Sequence, residues 1–152
     1  MILQLGWAKP YSIIMIILMM SSYPTYTQSK QSASEIQIEI VNAVTIDINQ
    51  LSMITDSAMY QACQHWQLNK QQVKQFFELS ENYSDYPYSL YYQIPCSITG
   101  TLKYQNKIWR FTIDGGATGV WQYKTDIKYF GCHKAACESL VILPTDGMIT
   151  IN

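Results

Sequence analysis

The most reactive side chains in this 152-residue sequence belong to four cysteines, Cys63, Cys96, Cys132 and Cys137, and two histidines, His65 and His133. A cysteine nucleophile needs a free thiolate beside an imidazole, and both histidines stand close to a cysteine in sequence. The even cysteine count argues against a free thiol. Structural zinc would use the same atoms, but Cys132-x4-Cys137 with His133 inside it is not a usual ligand spacing. The Cys-x-x-Cys of thioredoxin-like redox chemistry is absent. The cysteines are therefore expected to form two disulfides, with no metal and no cofactor. Three pairings are possible; the expected one joins Cys63 to Cys96 and Cys132 to Cys137, the latter closing a loop of six residues whose ends can reach bonding separation. Both histidines are expected to be structural or surface groups.

Other catalytic signatures are sparse. There is no Gly-x-Ser-x-Gly elbow and no His-Glu-x-x-His. Asp114 and Asp146 each precede a glycine, where a carboxylate usually serves a turn's backbone. Asp114-Gly-Gly-Ala-Thr-Gly119 is rich in glycine but lacks the Lys-Ser/Thr and the following helix of a phosphate loop. No catalytic residue is assigned. The binding candidates are Tyr83, Tyr86, Tyr88, Tyr91 and Tyr92, five tyrosines on one proline-broken stretch, together with Gly115, Gly116 and Thr118. Tyrosine offers large contact area, few rotamers and a polar tip, and glycine lets a partner's backbone approach.

The elements that must carry these residues follow from hydrophobic periodicity. Ser97–Tyr104 and Ile108–Ile113 alternate on either side of a polar turn, as a half-buried hairpin requires. Ile98, Gly100, Leu102 and Tyr104 share one face with Trp109, Phe111 and Ile113; Thr101, Lys103, Arg110 and Thr112 take the other. Gly100 suggests close packing under a large ring, with Trp109 the expected one. Further strands are expected at Glu35–Ile40, Val44–Ile48, Thr118–Tyr123, Lys128–Phe130 and Leu140–Leu143, and one helical turn within Lys134–Ser139. The clearest helix runs from Lys70 to about Asn82, with Asn69 and Gln72 as a capping box and Val73, Phe76 and Phe77 on its inner face. The fold class expected is α+β: a small antiparallel sheet, one principal helix packed on it, and two disulfides.

Compartment is read from the N-terminus and the charge. Residues 1–26 have the order of a cleaved signal peptide: Lys9, then the apolar run Ile13–Met20, then Ser21, Ser22 and Pro24. Eight apolar residues are too few to cross a bilayer, which takes about 20. Residues 27–34 read as a flexible mature N-terminus and residues 35–152 as a single α+β domain. The net charge of −1 gives no reason to expect nucleic acid or an anionic membrane surface as partner.

Taken together, Ala62-Cys63-x-x-Trp66-x-Leu68, Val73-x-x-Phe76-Phe77, Pro95-Cys96-x-x-x-Gly100-x-Leu102, Trp109-x-Phe111-x-Ile113, Gly115-Gly116-x-x-Gly119 and Phe130-Gly131-Cys132 with Cys137 form a scaffold pattern over about residues 62–143. The pattern resembles small exported bacterial proteins, some of which are periplasmic immunity proteins that neutralise toxins delivered between bacteria. The resemblance implies a non-enzymatic periplasmic binding protein whose partner is a toxin protein, and it assigns no contact residue by position. The first alternative is a small periplasmic hydrolase using Asp114, Asp146 or a histidine in a cleft. The second is a structural or envelope-assembly protein.

Overall fold

The computed structural model describes residues 35–47 and 57–145. The expected signal peptide, the flexible leader and the turn at Asp146 lie outside the described residues. The described strands, β1 Gln37–Val41, β2 Thr45–Ile46, β3 Glu81–Tyr83, β4 Cys96–Tyr104, β5 Lys107–Asp114, β6 Thr118–Tyr123 and β7 Asp126–Gly131, form one sheet. Its order is β1-β4-β5-β6-β7-β3, with β2 also pairing β4, and every pairing is antiparallel. Two helices, α1 Ser57–His65 and α2 Lys70–Leu79, precede most of it. The class is α+β, but the seven-stranded sheet outweighs the helices and is larger than the small sheet expected.

The central meander assembles from tight turns. Tyr104 pairs with Lys107, so Gln105 and Asn106 alone make the turn, with φ of 49° and 60°. Two left-handed residues give a turn whose twist matches that of the strands it joins. The same economy recurs between β6 and β7, where Tyr123 pairs with Asp126 and Lys124 has φ 53°.

One face of the sheet is the core. Ile98, Leu102, Trp109, Phe111, Ile113, Trp121 and Phe130 are all buried on it. The α2 helix is held at its start by reciprocal bonds: the Gln72 backbone N–H donates to Asn69 Oδ1, and the Asn69 N–H to Gln72 Oε1, each 2.9 Å. Its apolar stripe, Val73, Phe76 and Phe77, is buried. The Phe77 ring meets Phe76, Phe111, Trp121 and Phe130 edge-on with centroids 5.1–5.6 Å apart, an arrangement that suits the ring quadrupoles. Both expected disulfides are formed: Cys63–Cys96 ties α1 to the start of β4, and Cys132–Cys137 closes the loop after β7.

Several expectations are corrected. The helix ends at Leu79, not near Asn82, because Ser80 turns extended and both its N–H and its hydroxyl donate to the Phe76 carbonyl. Glu81–Tyr83 then become an edge strand on β7. Gly100 does pack closely, but against the Ile40 carbonyl and the Phe111 ring, not Trp109. Leu140–Leu143 is no strand. A 3-10 turn covers Ala135–Leu140, and the Ile142 and Leu143 N–H groups donate to the Gly115 carbonyl. The strict alternation of Glu35–Ile40 is broken by a bulge between Ile38 and Ile40. A bulge adds one residue and reverses the facing that follows, so Ile40 sits 53% exposed on the sheet's other side.

Candidate binding surface

Residues opposite one another in register share a face, so the strand pairings map the side of the sheet away from the core. One row across it reads Ile40, Thr101, Arg110, Gln122, Ile127; the next reads Thr99, Thr112, Val120, Tyr129, Tyr83. Every one of these side chains is exposed or half-buried. The exposed large apolar side chains within strands, Ile40, Ile108 and Ile127, all fall on this face. Two hollows open on this face. One hollow of about 460 Å³ is centred on Thr99, Thr101, Arg110, Thr112 and Gln122. A second, of about 510 Å³, shares Thr112 with it and is walled by Ser97, Asp114, Asp47, Tyr86 and Gln93.

Tyr86 joins this face to the tyrosine stretch. Its hydroxyl lies 2.9 Å from Thr118 Oγ1, and its ring packs against Tyr129 at 6.0 Å and Tyr88 at 6.5 Å. Burial pushes the Tyr86 phenol upward, against the opposing pull of the Thr118 bond, so it stays a neutral hydrogen-bonding group. Beyond it, a 3-10 turn at Tyr88–Leu90 presents Tyr88 at 66%, Leu90 at 42% and Tyr92 at 45% exposure. Through Tyr86 the open face is in contact with Tyr88 of this turn.

The sequence-derived candidates divide between surface and support. Tyr88 and Tyr92 are exposed, and Tyr83 and Tyr86 are half-buried. Tyr91 is a core residue: it is 7% exposed, its hydroxyl lies 3.0 Å from that of Tyr83, and its ring packs where a Gly131 side chain would stand. Burial, then the Tyr83 bond, pushes its phenol far upward. Gly115, Gly116 and Thr118 are buried as well. They cannot touch a partner and act as support: a Cβ on Gly116 would collide with the Tyr92 carbonyl, so the glycine lets the tyrosine stretch lie against the β5–β6 turn.

Among the described residues Asp114 is the one carboxyl with a clear shift. Its Oδ1 accepts the Gly116 N–H at 2.8 Å, the turn role expected of it. Burial in the wall of the trough nevertheless pushes it up to about 6, against the lowering effect of the Gly116 and Ile94 N–H groups. Asp47 lines the same hollow, so two carboxyls share it. Neither histidine does. His133 Nε2 is 3.6 Å from Glu81, and His65 Nδ1 is 2.7 Å from the Gln61 carbonyl. Asp146 lies outside the described residues. No cysteine is free, and among the described residues no group of three or more His, Cys, Asp or Glu is placed to hold a metal. No family model, curated protein or solved structure matches the chain.

Sequence reasoning assigned Thr101, Arg110 and Thr112 to the outward face of their strands but did not single them out as a site. The available signal was that Arg110 is the chain's only arginine. Thr99, Val120, Gln122 and Tyr129 become neighbours of it only through the register of four strands.

Proposed function

We propose that this chain is an exported, disulfide-locked binding protein of the bacterial periplasm that occludes a protein partner, as the resemblance to immunity proteins of interbacterial toxin systems implies. The observation that carries the reading is that Tyr86 links the open face to a turn on which Tyr88, Leu90 and Tyr92 are exposed. Aromatic anchors beside a polar trough have the composition of a protein-binding patch. Two disulfides are consistent with an oxidising compartment outside the cytoplasm. The mechanism is steric: the surface covers a toxin's working cleft, and no bond is made or broken by this chain. Co-expression with the product of the adjacent gene directed to the periplasm tests it. Rescue of growth, weakened by Tyr88→Ala together with Tyr92→Ala, supports the reading; unrelieved killing with no complex on size exclusion removes it.

A second reading is favoured by one observation, that Asp114 and Asp47 line one hollow while burial raises Asp114. Two carboxyls in one cleft, one of them raised by burial, are groups a small hydrolase can use as acid and base. Turnover of peptidoglycan or glycan substrates that vanishes in both Asp114→Asn and Asp47→Asn would select it over the binding protein.

A further inference from the structure

We infer that the hollow around Arg110 is a carboxylate receptor, and that its occupant is an aspartate or glutamate side chain carried by the protein partner. The inference rests on the binding-protein reading above and adds the chemistry of the contact.

Arg110 stands on β5, an interior strand of the sheet, between Thr101 on β4 and Gln122 on β6. Its guanidinium forms no ion pair or side-chain hydrogen bond among the described residues. No nearby acid among the described residues pairs with it: Glu39, in the β1 bulge opposite Thr101, is exposed and forms no ion pair. Asp126 pairs with Lys107, and Asp114 lies four residues along β5, about 13 Å away at the rise of a strand.

The groups around the guanidinium are biased toward donation. Asn42 Nδ2 donates to Thr99 Oγ1 at 3.0 Å, which leaves the Thr99 hydroxyl hydrogen to point elsewhere. Thr101 and Thr112 flank Arg110 on the same face, and the Gln122 amide stands opposite it. A planar fork of N–H donors ringed by hydroxyls and an amide matches a carboxylate bidentately. The hollow, about 460 Å³, has room for one acidic side chain and the backbone that bears it. The other nine cations of the chain are lysines, which bind anions as point charges without that fork.

The test is a titration of the folded, disulfide-bonded protein with N-acetyl-glutamate-N-methylamide, followed by amide chemical shifts. The isosteric glutamine compound is the neutral control. The expected result is saturable shifts at Thr99, Thr101, Thr112 and Gln122 with the glutamate probe and none with the glutamine probe at the same concentration. Arg110→Gln should abolish them, Arg110→Lys should weaken binding about fivefold through loss of the fork, and Lys70→Gln, at the start of α2, should leave it unchanged. Arg110 is exposed, so these variants fold, and near-ultraviolet circular dichroism verifies it. Absent shifts, shifts that survive Arg110→Gln, or inorganic phosphate acting on the same amides at lower concentration would each overturn the inference. A partner that binds wild type and Arg110→Gln equally would sink the receptor and leave the proposed function intact. A protein that answers the glutamate probe but binds no toxin would do the reverse.

Discussion

Asp114→Asn isolates the contest between burial and hydrogen bonding at the trough wall. In the native protein the carboxyl is shielded from water while accepting N–H bonds from Gly116 and Ile94, and burial wins, raising it from 3.8 to about 6. The native state therefore binds this proton more tightly than the unfolded chain does. The group's contribution to stability is greatest below about pH 4, falls as pH rises, and levels off a little above pH 6. Each factor of ten in proton affinity is about 1.4 kcal/mol, so the loss across that window is roughly 3 kcal/mol. Asparagine keeps an acceptor for the Gly116 N–H and does not titrate. Wild type and Asp114→Asn should thus be of similar stability near pH 4, and the variant should be more stable by about 2–3 kcal/mol at neutral pH. Urea denaturation of both proteins between these limits measures the difference directly, because the other titrating groups are common to both and cancel. A constant difference would mean that the carboxyl titrates normally. A wild type that gains on the variant as pH rises would mean that the two N–H donors outweigh burial, and the account of this turn would be wrong.

The remaining predictions concern the scaffold and its surface. Phe77→Ala should cost about 4 kcal/mol, in the middle of the range for a buried ring, since it empties the centre of four edge-to-face contacts; thermal or urea unfolding reads it, and a loss under 1 kcal/mol would contradict the packing. Replacing Cys63 and Cys96 together by alanine removes a cross-link between residues 33 apart in sequence and should lower stability by about 3–4 kcal/mol if chain entropy governs; wild type and variant should then unfold at the same urea concentration once both are reduced, since reduction also opens Cys132–Cys137. Gly116→Ala should push the Tyr92 carbonyl away and cost about 1–3 kcal/mol, with a changed near-ultraviolet tyrosine signal, whereas an unchanged spectrum and stability would show that the tyrosine stretch does not rest on this turn.

The sequence carried the local architecture well because its strongest signals are local. Alternation in Ser97–Ile113, the capping box at Asn69 and Gln72, and the apolar stripe of Val73, Phe76 and Phe77 each lie within one or two neighbouring elements. The disulfide pairing was legible because one short loop left a single complementary pair. What escaped depends on long-range geometry. Neither the bulge that turns Ile40 outward nor the edge strand Glu81–Tyr83 can be read without its partner, β4 in one case and β7 in the other. Tyr91 looks like its neighbours in sequence, and only the Gly131 space behind it makes it core. The Asp114 turn looked like a backbone device, which it is, but its second role as a trough wall appears only once Asp47 and Tyr86 are brought beside it. The candidate surface was half visible: its tyrosines stand out by composition, while its Thr, Arg and Gln members are ordinary outward strand residues until register collects them.

The central claim is that the sheet's open face and the tyrosine turn form one contact surface for a protein partner. Amide hydrogen exchange of the oxidised protein, alone and with the product of the adjacent gene, tests this most directly. The account predicts new protection at Tyr86–Tyr92 and at Thr99–Thr101, Arg110–Thr112 and Val120–Gln122, with α2 unchanged. Protection confined to α1 and α2, or a complex that leaves the open face exchanging as in the free protein, would contradict it.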